Sequence, residues 1–333
     1  LVSLGLAAVA LAIDIQALCA TAALGAFFAP VVVGQESGSV NLLLLYLGAM
    51  GAAHGYVSAR RHWRIATLVI ALAYFGIASS GIVQQASPTG LYLYGILGGA
   101  AGLFVGLREG WIETRVLSFA GGWTILGVAN NVSTNHWPTL LGGILLTAPV
   151  WWRAIASDSV WPGQRTDGGV KPPRPSLGGT FYFYVSPMLL CLALRELSHT
   201  TFDATPGLAP LLIALPYLAV GLSHARRTSF TVVAAVALVV AAHLQWPGLE
   251  AVWALLILTH LWAVTDHGLK RSDGRWYTLG TFTVALWHLL VVDLPVRPHD
   301  DTAFVGRWAL SLWWGIETAV VLAVGLLRDG DPV

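Results

Sequence analysis

Residues 91–107 read LYLYGILGGAAGLFVGL, an unbroken uncharged run that ends at Arg108. This length is close to what an α-helix needs to cross the hydrocarbon core of a bilayer. Gly98, Gly102 and Gly106 recur at every fourth position, so they share one helix face on which a second backbone can approach closely. The run predicts an apolar helix packed inside a helical bundle, or at an interface between copies of the chain.

The composition extends this interpretation to the whole chain of 333 residues. Charged residues make up 11% and apolar residues 56%, with a mean hydropathy of +0.69. An ordinary soluble domain carries about 25% charged residues, and so few charges could not cover a soluble surface of this size. The class predicted is an all-α, polytopic transmembrane bundle. Disordered proteins, disulfide scaffolds and nucleic-acid-binding proteins are excluded, and the net charge of +1 does not favour a polyanionic partner.

Thirteen apolar runs bounded by Gly, Pro or charged residues are long enough to be candidate spans. They lack the alternation of a barrel strand, so helices that satisfy their own amides are expected. The predicted spans are 1–13, 15–33, 39–59, 63–82, 91–107, 116–129, 139–157, 181–198, 207–222, 228–245, 248–265, 276–292 and 305–326.

The basic residues predict an orientation for these spans, because cytoplasmic loops are enriched in Lys and Arg. Fifteen of the 18 basic residues follow odd-numbered spans, and the exceptions are Arg195, Arg297 and Arg307. We therefore expect a multi-pass protein of the bacterial cytoplasmic (inner) membrane with a cytoplasmic C-terminus. The first residue is Leu and opens directly into an apolar run, so we expect the chain to begin partway through a longer protein.

One long connection, residues 158–180, is rich in Pro and Gly and predicts a cytoplasmic linker. It divides the chain into a first bundle of about seven helices, residues 1–157, and a second of about six, residues 181–333.

Ionisable groups inside a membrane are costly and mark candidate functional positions. Glu317 lies about twelve residues into the last span. It could carry a proton or cation, or hold a polar substrate. It could equally be a protonated or hydrogen-bonded acid that ties helices together.

A second candidate closes the eighth span at its predicted outer end. Arg195, Glu196 and His199 are three or four residues apart and can form one patch of cation, acid and imidazole. Such a patch could bind phosphate or carboxylate, act as general acid and base, or be an interfacial ion pair.

No metal site or cofactor follows from the sequence. Neither HxxxH nor HExxH spacing occurs, and phosphate-binding Gly-rich loops are absent. Five histidines fall on the predicted outer side or in the outer half of a span, namely His136, His199, His243, His288 and His299. Together with the outer acidic residues they could still furnish an acid/base or metal site through contacts that the spacing does not show; these acids are Asp203, Glu250, Asp293, Asp300 and Asp301.

The segments 14–18, DIQAL, and 24–30, LGAFFAP, resemble the domain of unknown function 2339 family of large bacterial membrane proteins. Residues 34–38, GQESG, and 43–47, LLLYL, are similar to that family's outer loop and following helix, and 60–64, RRHWR, to its basic turn. The resemblance implies a dozen or more spans, with further helices and often a coiled segment before Leu1. It implies no activity and no catalytic residue.

Three functions remain open. The first is a transporter or permease using Glu317. The second is an envelope enzyme acting on a lipid-linked or polysaccharide substrate at the outer face through Arg195, Glu196 and His199. The third is a structural or accessory subunit of a larger membrane complex. The expected partners are the lipid bilayer and other membrane subunits or further copies of the chain.

Overall fold

The computed structural model describes residues 2–33, 39–78, 86–158, 177–197, 199–223, 228–269, 274–293 and 302–328. These residues are almost entirely helical, and no strand occurs among them. The predicted outer loop at 34–38 and most of the predicted linker, residues 159–176, lie outside the described residues.

The chain divides into two compact units, Leu1–Leu197 and Ser198–Val333. The helices of the first unit are α1 (Val2–Ile13), α2 (Gln16–Val33), α3 (Val40–Arg60), α4 (Arg64–Ala78), α5 (Pro88–Glu109), α6 (Ile112–Val132), α7 (Trp137–Asp158) and α8 (Leu177–Leu197). Those of the second are α9 (His199–Ala204), α10 (Leu208–Ser223), α11 (Thr228–Gln245), α12 (Leu249–Leu269), α13 (Gly274–Trp287) with a π-helical continuation (His288–Asp293), and α14 (Thr302–Arg328).

The prediction of an all-α fold is confirmed. Each predicted apolar run overlaps one helix of the described residues, and the short α9 is an addition. Within the described residues, α3 and α5 are long and apolar enough to cross a membrane by length and composition. The two units divide after Leu197, so α8 packs with α6 and α7, whereas the sequence grouped residues 181–197 with the later helices.

Local signals explain where α5 begins and ends. The Ser87 hydroxyl accepts a hydrogen bond from the backbone N–H of Gly90, and Pro88 occupies the first helical position, where its missing N–H costs nothing. Gly110 follows Glu109 with φ of +76°, the left-handed conformation that glycine adopts without strain. The fold-determining stretch is thus a capped helix longer than the predicted span.

Four glycines of α5 pack against α6, inside the chain, namely Gly95, Gly99, Gly102 and Gly106. A Cβ added to Gly99 would lie 3.3 Å from the Cα atom of Gly122, and one added to Gly106 would lie 3.0 Å from the backbone nitrogen of Arg115. Gly98 belongs to the neighbouring face, where the Tyr74 ring occupies the space of a side chain. These glycines therefore allow the close packing inside the bundle that the sequence predicts for this stretch.

A pair of stacked tyrosines joins α4 to α5. The rings of Tyr74 and Tyr94 lie 4.0 Å apart and nearly parallel. Each hydroxyl donates to the other residue's backbone carbonyl, at 2.9 and 3.0 Å. Both side chains are buried, so these reciprocal bonds satisfy two polar groups that would otherwise be costly among apolar helices.

Candidate functional site at one end of the first unit

The turns that carry the basic residues meet at one end of the first unit. Arg61, after α3, donates to the carbonyl of Leu11 near the end of α1, at 3.0 Å. His62, in the same turn, bonds through Nδ1 to Glu109 Oε2 at the end of α5, at 2.6 Å. These contacts join the α1–α2, α3–α4 and α5–α6 turns into a single charged surface, called here the basic end.

An ion pair at the basic end changes the titration of one carboxylate. Glu113, in the first turn of α6, pairs with Arg64 at the start of α4. Its pKa is lowered from the ordinary value of 4.5, first by a hydrogen bond from its own backbone N–H and then by the bond from Arg64. A free N–H in the first turn of a helix favours a negative charge in this way.

We expect the Glu113→Gln variant to unfold at a lower temperature than the wild type at pH 7. A carboxylate whose pKa is lower in the folded state stabilises the fold above about pH 4.5, and this contribution is lost as the pH falls through the folded-state value. The difference in unfolding midpoint should therefore close in acid. It should be small, because both side chains are about half exposed.

The Arg64→Gln variant provides the comparison for this prediction. It removes the contribution of Arg64 to the lowered pKa of Glu113 but keeps the hydrogen bond from the Glu113 backbone N–H. Its pH-dependent loss of stability should therefore be the smaller of the two. A gap between wild type and Glu113→Gln that is the same at pH 7 and pH 3 would contradict the assignment.

A continuous set of hydrogen bonds lies at the opposite end of the first unit. The Asn130 side-chain oxygen accepts from His136 Nδ1 at 2.9 Å and from the Thr139 hydroxyl at 2.8 Å. The Thr139 hydroxyl also bonds to the Tyr92 hydroxyl at 2.9 Å, and Asn130 Nδ2 reaches Glu196 Oε2 at 3.5 Å. These five residues are called the Asn130 network.

The antiparallel course of four consecutive helices brings the network together. Tyr92 is in the first turns of α5, and Asn130 is near the end of α6. His136 and Thr139 flank the start of α7, and Glu196 is near the end of α8. Short turns join α5 to α6 and α6 to α7, so these helices alternate in direction and the starts of α5 and α7 meet the end of α6. The bond from Asn130 to Glu196 places the end of α8 at the same end of the bundle.

The direction of each hydrogen bond follows from counting protons. The Thr139 hydroxyl has one hydrogen, which goes to Asn130, so Tyr92 donates to Thr139 at 2.9 Å. The same Tyr92 hydroxyl has a longer second acceptor, the Asn135 carbonyl, at 3.4 Å. His136 Nδ1 faces an amide oxygen and must therefore carry a proton.

Burial separates the neutral centre of the network from its titratable ends. Tyr92, Asn130 and Thr139 are buried, whereas His136 and Glu196 are partly exposed. An imidazole and a carboxylate are thus joined through a buried amide while both remain accessible to protons. The network thus links the ends of α6, α7 and α8.

The predicted patch of Arg195, Glu196 and His199 is only partly described. Glu196 joins the Asn130 network, and the neighbouring Arg195 side chain is exposed. The side chain of His199 lies outside the described residues. The sequence placed His136 among several outer histidines, whereas Tyr92 and Thr139 carried no signal, since both stand within apolar runs.

Glu317 is exposed on α14. It shares this face with Trp313, Ile316 and Val320, which are 69%, 51% and 56% exposed. The described helices of its own unit therefore do not enclose it, in contrast to the expectation of a carboxylate held among helices.

Within the described parts of the chain, no group of three or more His, Cys, Asp or Glu side chains is placed to hold a metal ion. Cys19 and Cys191 are both unpaired. The fold and site define an all-α helical bundle with charged contacts at one end of its first unit and a titratable hydrogen-bond network at the other. No protein-family model, curated protein or solved structure matches this chain.

Proposed function

We propose that this chain is a multi-pass protein of the bacterial cytoplasmic membrane and that its first unit is a proton-linked, permease-like transporter. In this proposal α1–α8 and α10–α14 contain the thirteen predicted spans, the C-terminus is cytoplasmic, and the Asn130 network is the outward-facing site. The observation that carries the transport proposal is the buried amide joining His136 to Glu196 at the ends of packed apolar helices. Membership of the domain of unknown function 2339 family belongs to the proposal and rests on residues 14–64.

Exposed apolar surface supports the membrane assignment. On α3, Leu42 and Leu45 are 65% and 69% exposed, and on α5 Leu97 and Phe104 are 66% and 65% exposed. Side chains of this size, repeated along the apolar helices, would form large water-facing patches in a soluble protein. In a bilayer the same surface faces lipid at no cost.

The tryptophans of α7 support a span with two interfaces. Trp137 at its start is 60% exposed and Trp152 near its end is 76% exposed. They are separated by about 22 Å at 1.5 Å per residue. Exposed Leu141 and Leu145 lie between them. Indole rings at both borders of an apolar band are typical of membrane helices.

The two ends of the first unit support the proposed orientation. The basic end gathers the turns that follow odd-numbered spans, as the positive-inside rule predicts for the cytoplasmic side. Labelling with a membrane-impermeant thiol reagent in a variant lacking Cys19 and Cys191 tests this. We expect a cysteine replacing exposed Thr134 to react in intact cells, and one replacing exposed Arg60 to react only after permeabilisation. The reverse pattern would overturn the orientation.

A proton at Glu196 would change how α6 is held to α8. An ionised carboxylate accepts a stronger hydrogen bond from Asn130 than a neutral acid does. Protonation therefore weakens the link between the two helix ends, and His136 supplies a second proton-binding atom on the same amide. A solute that binds between the ends of α6 and α8 when this bond weakens would have its transport coupled to the proton.

Reconstituted protein tests this proposal. Liposomes containing a pH-sensitive dye are given an inward proton gradient and then, in turn, amino acids, sugars, organic anions and organic cations. We expect one class to drive proton entry and Glu196→Gln to lower that entry at least tenfold. The control is Glu250→Gln, an exposed acid in the first turn of α12. The transport proposal would be overturned if no class of solute stimulates proton entry in the wild type. It would also be overturned if Glu196→Gln leaves the stimulated entry unchanged.

An envelope enzyme is the second candidate. It is favoured by the bond between Glu196 and Asn130, which places an acid, an imidazole and exposed Arg195 near one helix end. In that case purified protein should cleave or transfer a lipid-linked saccharide without any gradient, and Arg195→Gln should abolish the reaction.

A further inference from the structure

Two histidines far apart in the sequence meet in the second unit. His243 is in the last turn of α11, and His288 begins the π-helical continuation of α13. Their ring centres are 5.0 Å apart, with the ring planes at 70°. A metal ion about 2.1 Å from one nitrogen of each ring would hold ring centres roughly 5–6 Å apart, so the observed spacing fits a shared ion.

The backbone of this region is built around the pair. The helix widens from α to π geometry at His288, a change that often accompanies functional positions. The indole N–H of Trp308 on α14 donates to the carbonyl of the next residue, Leu289, at 3.2 Å. This bond ties the widened turn to a third helix.

The two rings differ in exposure. His288 is 4% exposed, and its neighbour Leu289 belongs to an apolar core with Ala242, the residue before His243. His243 itself is exposed. One imidazole is therefore buried at the edge of a packed core and the other is exposed, so an ion can reach the pair from the His243 side.

We infer that His243 and His288 form a binding site for a divalent transition-metal ion of the class that prefers imidazole, such as Cu²⁺ or Zn²⁺. Neutral imidazole is a common ligand of these metals, and Cu²⁺ binds such sites most strongly among the first-row divalent ions. Because the described residues supply two ligands, the ion keeps open coordination positions. Such a site loads and releases its ion instead of serving as a closed structural centre.

The inference is independent of the proposed transport function. It concerns the second unit, uses no residue of the Asn130 network, and is measured by binding instead of flux. The two ligands belong to different helices, so an ion that joins them should also raise the stability of the fold.

Titration of the purified full chain with Cu²⁺, followed by electron paramagnetic resonance and by thermal unfolding, tests the site. We expect one equivalent to bind with hyperfine splitting from two imidazole nitrogens and to raise the unfolding midpoint. The exposed position of His243 makes His243→Ala the decisive variant, because the metal-free protein should remain folded. It should weaken Cu²⁺ binding at least tenfold and remove both signatures.

The matched control is His62→Ala, which removes an exposed histidine from the first unit. It should leave the two-nitrogen signal and the metal-dependent stabilisation unchanged. Absence of a two-nitrogen signal in the wild type, or its survival in His243→Ala, would overturn the inference. Equal losses in His243→Ala and His62→Ala would do the same, since they would indicate scattered surface binding.

Discussion

Asn130→Leu is expected to reduce solute-coupled proton entry to the level of liposomes without protein. Leu has a similar volume but cannot accept from His136 and Thr139 or donate to Glu196, so the link between the two titratable groups disappears. The buried Thr139 hydroxyl loses its acceptor and keeps its bond with Tyr92, and a lost hydrogen bond of this kind costs about 0.5–1.5 kcal/mol. The same variant should therefore also unfold at a lower temperature.

The adjacent Asn131→Leu variant is the control for this prediction. Asn131 has the same chemistry in the same helical turn, but its side chain is exposed and takes no part in the Asn130 network. We expect its flux and unfolding midpoint to match the wild type. Equal flux in Asn130→Leu and the wild type would remove the Asn130 network from the mechanism, whatever the change in stability.

Gly106→Ala should destabilise the first unit by about 1–3 kcal/mol, the usual cost of overpacking a close contact. The added methyl would lie 3.0 Å from the backbone nitrogen of Arg115 and 3.2 Å from the carbonyl oxygen of Trp111. Backbone atoms cannot rotate away as a side chain can, so the last turn of α5 must move off α6. The unfolding midpoint in detergent, followed by tryptophan fluorescence, measures this loss.

Gly55→Ala gives the opposite expectation and serves as its matched control. A Cβ at Gly55 on α3 meets no atom within 4 Å, so only helix propensity acts. Ala is favoured over Gly in a helix by up to about 1 kcal/mol, and the midpoint should stay or rise. Midpoints that shift in the same direction for both variants would show that close packing at Gly106 does not decide the stability of the α5–α6 pair.

The position of Glu317 illustrates the difference between a sequence-based site and a structural one. Its place within an apolar run made it the first candidate for transport. In the second unit its side chain shares an exposed face with Trp313 and Val320, whereas Glu196, nearer a helix end, joins a hydrogen-bonded network. Location along a helix therefore did not identify which acid has bonded neighbours.

The helices themselves could be predicted from the sequence. Uncharged runs such as residues 91–107 have few alternatives to satisfying their own amides, and Ser87, Pro88 and Gly110 mark the ends of α5 through local backbone chemistry. The alternation of basic turns also predicted which turns share an end. These signals depend on residues within one helix or one turn, so they survive without any knowledge of packing.

Only the tertiary structure decided which helix faces meet. A helix that is apolar on all sides carries no amphipathic pattern, so nothing in α5 or α6 alone shows that Tyr92 and Asn130 would face Thr139. Likewise His243 and His288 become neighbours through the pairing of α11 with α13 and the widened turn at His288. Contacts between residues distant in sequence depend on how whole helices pack, and local patterns do not encode that arrangement.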